Sequence, residues 1–495
     1  MIENEVKLGA PPGFRVPPLD DVYEGITARA RPDLVMQATY YDTPDLRLSR
    51  AGASLRYRSN DGWTVKLPTE DLHEGALHRS EFLIKGPPSA PPPLAFDLVR
   101  AYARTAPLGV VSRLRTLRRT VELVNEAGEP VAEVDDDEVS VLDGRRVGAR
   151  FREIEVEVFP GAPDDLQARV VAVLRDAGAG EPDPVPKVVR ALGPRAMEPP
   201  DVVVPKLGKD PTVAEAVRAA IASPVRRLIV HDAAVRMGDD PEGVHQARVA
   251  TRRLRSDLRT FRDYLDPEWA ESLREELKWL GAELGNVRDA DVMLERLQHH
   301  AQRLPDDERL LVERVIARRA TERDDARAAL LDAYRSSRYV ELLERLVAAA
   351  QAPAFAEGVD APAKATLPRV VRGPWQHLRK AVNELGDSPA DEALHEVRKR
   401  AKRCRYAAEA VAPVVGKPAR LFAKAVANVQ EVLGEHQDAV VARQWLGKAA
   451  ADLPAREAYA AGMLAGIELE AAATARARFP AAWKAASPKR LRSWL

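Results

Sequence analysis

A single cysteine, Cys404, stands in a chain of 495 residues. That excludes a disulfide framework and fits a reducing compartment. Net charge is also absent, because 75 Lys and Arg balance 75 Asp and Glu. Neither a uniformly basic coat for nucleic acid nor an acidic solvating chain is compatible with that balance. Aromatic residues are scarce at 5%. Long apolar runs are missing: no window of 18 residues is free of charge, and the start Met1-Ile2-Glu3-Asn4-Glu5 puts acids where a secretion signal needs positive charge and an apolar stretch. The expectation is a cytoplasmic protein that does not use a membrane.

What is present suits packed interiors, with 45% hydrophobic and 30% charged residues. The length suggests two to four domains. The charge balance hides opposed parts: residues 1–200 hold 26 basic and 32 acidic side chains, and the remainder holds 49 and 43. The first part reads as antiparallel strands, from the alternation in Ser54 to Arg58, Trp63 to Leu67 and Phe151 to Phe159, with turns at Asn60-Asp61-Gly62, Glu126-Ala127-Gly128 and Asp143-Gly144. Prolines between 182 and 205 mark a linker, and beyond it three- and four-residue spacing in Leu273 to Leu297 and Arg309 to Leu331 predicts helices. The expected organisation is α+β and multidomain: 1–197, a linker at 198–207, and an all-α domain at 208–495. That last part repeats itself. Val244-His245-Gln246-Ala247-Arg248 returns as Leu394-His395-Glu396-Val397-Arg398, and Leu284-Gly285 with Asp289-Ala290 returns as Leu433-Gly434 with Asp438-Ala439. Two related bundles, about 208–350 and 375–495, follow, joined by the proline-bearing segment Gln351 to Pro374.

Strand alternation gathers Glu3, Glu5 and Lys7 on one face, Glu153, Glu155 and Glu157 on another, and Glu133, Asp135 and Asp137 on a third. Rows of carboxylates repel unless cations neutralise them, and oxygen-only clusters suit Mg²⁺ or Mn²⁺. Basic side chains alternate likewise: Arg56 with Arg58, then Lys66, and a crowd at Arg113, Arg115, Arg118 and Arg119. An acidic and a basic wall together describe a cavity for a polyanion and its metals. No Walker-type glycine loop exists, so side chains must hold the phosphates. Glu3-x-Glu5-x-Lys7, Tyr40-Tyr41-Asp42-Thr43-Pro44, Leu55-Arg56-Tyr57-Arg58, Lys66, Arg79-Ser80-Glu81, Glu153-x-Glu155-x-Glu157 and Lys187 resemble the CYTH domain of the triphosphate tunnel metalloenzymes. The resemblance implies an eight-stranded antiparallel β tunnel barrel that hydrolyses a linear triphosphate. Glu3, Glu5, Glu153, Glu155 and Glu157, with Asp135 or Asp137, would hold metal. Lys7, Arg56, Arg58, Lys66, Lys187 and Arg118, the last with Arg115 as support, would hold phosphate. Glu153, Glu155 and Lys187 would take part in catalysis.

In the helical part His245, Arg248, Arg252, Arg255 and Arg259 form one stripe at helical spacing, and His395, Arg398, Lys402 and Arg405 repeat it. Arg253 and Arg403 adjoin these stripes. Such a stripe matches a phosphate chain, while the lack of interleaved aromatics argues against nucleic acid. These repeated motifs, placed after the first domain, resemble the CHAD domain, which implies two pseudo-symmetric helical bundles and binding of inorganic polyphosphate. The combined expectation is an inorganic triphosphatase with a polyphosphate-binding module. A non-catalytic polyphosphate scaffold, and a hydrolase or cyclase of an organic triphosphate, are the alternatives, and homo-oligomerisation stays open.

Overall fold

The computed structural model describes residues 5–20, 22–69, 79–238 and 240–495. It forms two compact units, Met1–Asp201 and Val202–Leu495.

The first unit is built on strands β1 (Glu5–Ala10), β2 (Thr27–Ala30), β3 (Leu34–Asp42), β4 (Ser54–Arg58), β5 (Gly62–Pro68), β6 (Arg79–Ile84), β7 (Gly109–Val124), β8 (Pro130–Asp143) and β9 (Arg146–Val158). They pair antiparallel in the order β1-β9-β8-β7-β3-β4-β5-β6. That is the expected eight-stranded path, and the short β2 adds a ninth strand as a spur on β7. The sheet curls until its two edges come within side-chain reach, with Arg79 of β6 3.9 Å from Glu5 of β1. Gly62, Gly128 and Gly144 close the hairpins at positive φ, which explains glycine at the three turns.

On β1, β8 and β9 the charged rows point inward. Leu8, Val134, Ile154 and Val156 face outward, onto Leu166, Val170 and Leu174 of helix α3 (Leu166–Asp176). The helices of this unit are α1 (Arg47–Arg50), α2 (Pro93–Ala103), α3 (Leu166–Asp176) and α4 (Lys187–Leu192). Trp63, fully buried between Tyr41 and Tyr57, donates its indole N–H to the Pro87 carbonyl and so ties the proline-rich loop to the sheet. The Tyr-Tyr-Asp-Thr-Pro motif has a local task as well. Buried Asp42 accepts hydrogen bonds from the backbone N–H of Thr43, Leu48 and Ser49 and from the Ser49 hydroxyl, which satisfies the start of α1.

The second unit holds α5 (Val213–Met237), α6 (Pro241–Thr260), α7 (Pro267–Ala301), α8 (Asp306–Arg335), α9 (Ser337–Gln351), α10 (Ala363–Thr366), α11 (Arg369–Asn383), α12 (Asp391–Val415), α13 (Lys417–Ala450) and α14 (Ala455–Ala486). The repeated motifs fall on matching helices: Val244 to Arg248 on α6 and Leu394 to Arg398 on α12, Leu284 to Ala290 on α7 and Leu433 to Ala439 on α13. The connection is shorter than expected, since α11 begins at Arg369 and takes in Pro374. α5 opens on a capping box of Thr212 and Glu215. Between α5 and the α8–α9 junction lies a buried network: Asp232 accepts from Arg236 at 2.6 Å and from the Tyr339 hydroxyl at 2.6 Å, and Tyr339 stacks on Tyr334. Among the described residues no helix is long and apolar enough to cross a membrane.

Candidate functional site

The curled sheet encloses a cavity of about 220 Å³. Its acidic wall is set by strand register. Glu5, Glu157 and Glu133 stand opposite one another across β1, β9 and β8; Lys7, Glu155 and Asp135 make the next row; Gly9, Glu153 and Asp137 make the third. Side chains opposite one another on neighbouring strands are about 5 Å apart, so the carboxylates are forced together by pairing alone. Arg118 and Thr120 extend the third and second rows onto β7. Arg56, Arg58, Lys66 and Arg79 supply the basic wall from β4, β5 and β6.

The acidic wall is threaded by three cations. Lys187, the first residue of α4, lies 2.7 Å from Asp137, 2.8 Å from Glu155 and 3.0 Å from Glu153. Lys7 is 2.5 Å from Glu155 and 3.1 Å from Glu5. Arg118 donates to both oxygens of Asp137, at 2.9 and 2.7 Å, and to Glu155 at 2.8 Å. Burial opposes the charge of Lys187, but Glu155, Asp137 and Glu153 hold it well above the usual lysine range. Burial likewise opposes the charge of Glu155, yet Lys187, Lys7 and Arg118 hold it well below the usual carboxylate range. Asp135 differs: burial pushes it up to about 7, against Arg118 and a hydrogen bond from Thr120. On the basic wall, burial and then Arg56 and Arg118 push Arg58 down to about 10. Tyr40, buried beside Arg56, is drawn below the usual phenol range by that guanidinium despite its burial.

Glu5, Lys7, Arg56, Arg58, Lys66, Arg118, Asp135, Asp137, Glu155, Glu157 and Lys187, all expected at the site, line this cavity. Glu3 lies outside the described residues. Two expectations need correction. Arg115 is exposed on the outer surface, opposite Gln37 and Ser140, because three steps along a strand from Arg118 reverse the face. Glu153 is fully buried behind Lys187 and is not part of the lining. The lining adds Arg79, Glu81 and Glu133, which the alternation of Arg79-Ser80-Glu81 and of Glu133-x-Asp135-x-Asp137 already signalled.

Among the described residues no group of three or more His, Cys, Asp or Glu donors converges as a metal cage. The chemistry of the donor set still suits a hard cation. It is oxygen-only, drawn from three adjacent strands, and among the described residues Glu133 has no hydrogen-bond or ion-pair partner.

In the second unit the two basic stripes meet. A groove of about 810 Å³ is lined by Arg252, Arg255 and Arg259 of α6, Lys402 and Arg403 of α12, and Arg274, Arg369 and His377 from neighbouring helices. Lys402 shows how close the cations come: burial and then Arg252, Arg398, Arg248 and Arg405 push its ammonium down to about 7. Burial and nearby Arg288 hold His245 below the usual imidazole range. His245, Arg248, His395 and Arg398 are not part of the groove lining, although Arg248 and Arg398 act on Lys402 from beside it. Tyr406, isolated in the sequence, carries Arg252 and Arg405 over its ring at 5.4 and 4.9 Å. Arg253 departs from expectation. It turns away from the groove to donate to buried Asp257 at 2.8 Å and to Glu409 at 2.7 Å, since its position on the helix faces α5 and α12. Arg405 sits on the same side, 3.2 Å from Glu409.

Comparison with known proteins matches residues 1–188 to the CYTH domain and residues 219–447 to the CHAD domain. Two uncharacterized proteins of Mycobacterium tuberculosis, one from each of two strains, are each 33% identical over 93% of this chain and 92% of their own. Among solved structures, PptA from Streptomyces chartreusis is 23% identical with a TM-score of 0.48, covering 55% of this chain and 99% of that one. The CHAD domain of the plant Ricinus communis is 29% identical with a TM-score of 0.46, covering 58% of this chain and 95% of that one.

Proposed function

Because the chain belongs to the family in which a CYTH domain is followed by a CHAD domain, we propose that its sheet cavity hydrolyses linear inorganic triphosphate with Mg²⁺ or Mn²⁺ and that its helical groove binds inorganic polyphosphate. The observation that carries the first half is the opposition of Arg56, Arg58, Lys66 and Arg79 to the carboxylate rows across one cavity. Its volume of about 220 Å³ is below the roughly 300 Å³ at which pockets for larger organic ligands begin. Among the described residues its one aromatic lining residue, Tyr40, is committed to Arg56. Both points favour a bare phosphate chain over a nucleotide.

In this reading the basic wall takes the phosphate oxygens and keeps the chain extended, and Tyr40 orients Arg56. Glu5, Glu133, Glu155 and Glu157 would hold the metal, which when bound polarises a phosphoryl oxygen and makes water more acidic. Asp135, whose carboxyl burial pushes up to about 7, takes the proton of the attacking water at its side-chain oxygen. Arg118, Lys7 and Lys187 fix Glu155 and offset charge that grows on the leaving group. The test is a panel with the full chain: tripolyphosphate, long polyphosphate, ATP and thiamine triphosphate, each with Mg²⁺, Mn²⁺ and Ca²⁺. Fastest release of phosphate from tripolyphosphate supports the reading. A folded protein inactive across the panel turns it toward a scaffold, and preference for ATP or thiamine triphosphate turns it toward an organic substrate.

For the groove, cationic side chains that neutralise phosphates release the counterions condensed on the chain, which makes binding salt-dependent. Replacing Arg252 and Arg255 with Ala should weaken binding of long polyphosphate and flatten the log-log salt slope by about 1.4 if each contact contributes roughly 0.7. Equal affinity for DNA of the same charge would replace the groove by a general polyanion surface.

A further inference from the structure

The most repeated motif outside the basic stripes is Leu-Gly-x-x-x-Asp-Ala, at Leu284 to Ala290 and Leu433 to Ala439. Glycine is a poor residue inside a long helix, and both copies sit well inside α7 and α13. The structure sets an arginine against each. Arg248 Nη1 donates to the Gly285 carbonyl at 2.8 Å, and Arg248 Nη2 lies 2.9 Å from Asp289. A Cβ at position 285 would stand 3.0 Å from Arg248 Nη1, so the guanidinium occupies the place of a side chain. In the second copy a Cβ at Gly434 would stand 3.6 Å from Arg398 Nε, and Arg398 favours the charged form of Asp438 against its burial. One turn before Gly285, Gly281 has Arg255 Nη1 3.9 Å from its would-be Cβ. Helix carbonyls keep a second lone pair, but side chains normally screen it. Glycine removes the screen, and an aspartate one turn later grips the same guanidinium.

We propose that Gly285 with Asp289, and Gly434 with Asp438, are slots that position Arg248 and Arg398 beside Lys402 for a phosphate chain. This rests on the polyphosphate reading of the groove. Two of the five guanidinium donors hold the slot, which leaves the others to face an anion in a fixed plane. The slot explains why the motif and the arginine recur at nearly one offset, 149 and 150 residues: each bundle carries a guanidinium against a helix glycine and an aspartate one turn later whose charge it favours. The aspartates also let like charges gather, since each offsets part of the charge of the arginine it faces.

The test measures binding of long-chain polyphosphate to the full chain, as wild type, Gly285→Ala, Arg248→Ala and the double variant. Gly466→Ala in α14, where nothing lies within 4 Å of the added Cβ, controls for generic effects of helix glycine. The expected result is a loss of about tenfold for Gly285→Ala, with a salt slope flatter by about the 0.7 of one lost contact, and no further loss when Arg248 is already Ala. Gly466→Ala should bind as wild type. Crystal structures of wild type and Gly285→Ala give a readout without ligand, in which Arg248 should leave the Gly285 carbonyl in the variant. Wild-type binding with an unaltered Gly285→Ala overturns the slot alone, as does a Gly285→Ala effect that persists in the Arg248→Ala background. Absence of polyphosphate binding by wild type overturns the groove reading and the proposed role with it.

Discussion

Lys402 makes the binding of a polyanion a proton-linked event. Burial and four surrounding arginines push its ammonium down to about 7, so at pH 8 about nine-tenths of the molecules carry it neutral. A phosphate chain supplies the missing counter-charge and returns the group toward its ordinary value. Binding should then take up about 0.9 proton at pH 8, about 0.5 at pH 7 and about 0.1 at pH 6. The sign follows from linkage: the bound state holds more protons, so affinity falls as pH rises, by about tenfold between pH 6 and 8. Isothermal titration with long polyphosphate in buffers of different ionisation enthalpy reads the uptake directly, and long chains keep titrating end groups few. Lys402→Met should abolish the pH 8 uptake, and Lys402→Arg should raise affinity at pH 8 while removing its pH dependence. Equal uptake by wild type and Lys402→Met, or none by wild type at pH 8, would refute the reasoning.

Further outcomes can be stated for both units. Glu133→Gln should lower turnover of tripolyphosphate by at least the roughly 10- to 100-fold that weaker losses around metals produce, with circular dichroism unchanged; wild-type turnover would remove Glu133 from the site. Arg118→Ala should abolish turnover, whereas Arg115→Ala on the outer surface should leave kcat and KM as they are, and the reverse pattern would contradict the strand register. Asp232→Ala leaves Arg236 buried without its carboxylate and should lower stability by about 3–5 kcal/mol in urea unfolding; a loss under about 1 kcal/mol would show the network to be dispensable.

Much of the site was legible because a strand has a period of two. Once Glu153, Glu155 and Glu157 are read as a strand, their shared face follows, and so does that of Arg56 and Arg58. Arg115 shows the limit, since a run with arginines at 113, 115, 118 and 119 populates both faces, and only pairing tells which face curls inward. Burial of Glu153 behind Lys187 was illegible for a similar reason: alternation fixes a face but not the depth along the tunnel. In the helices the stripes were visible, yet the turning of Arg253 toward Asp257 and Glu409 depends on a partner 156 residues away. Tyr406 gave no signal because its role is to carry arginines from two different helices.

The two-residue alternation of β9 has a consequence for how this gene can change. Inside the span from Glu153 to Glu157 the strand behaves like a reading frame. Deleting or inserting one residue there exchanges the odd and even positions beyond it, which would turn Ile154 or Val156 into the cavity and press carboxylates against Leu166, Val170 and Leu174 of α3. Point substitutions sample this wall one ligand at a time, but a single-codon slip erases an acidic row and part of the apolar seam together. Length changes in this domain are therefore expected at its hairpin turns, where Gly128 and Gly144 end one frame and the next strand begins another.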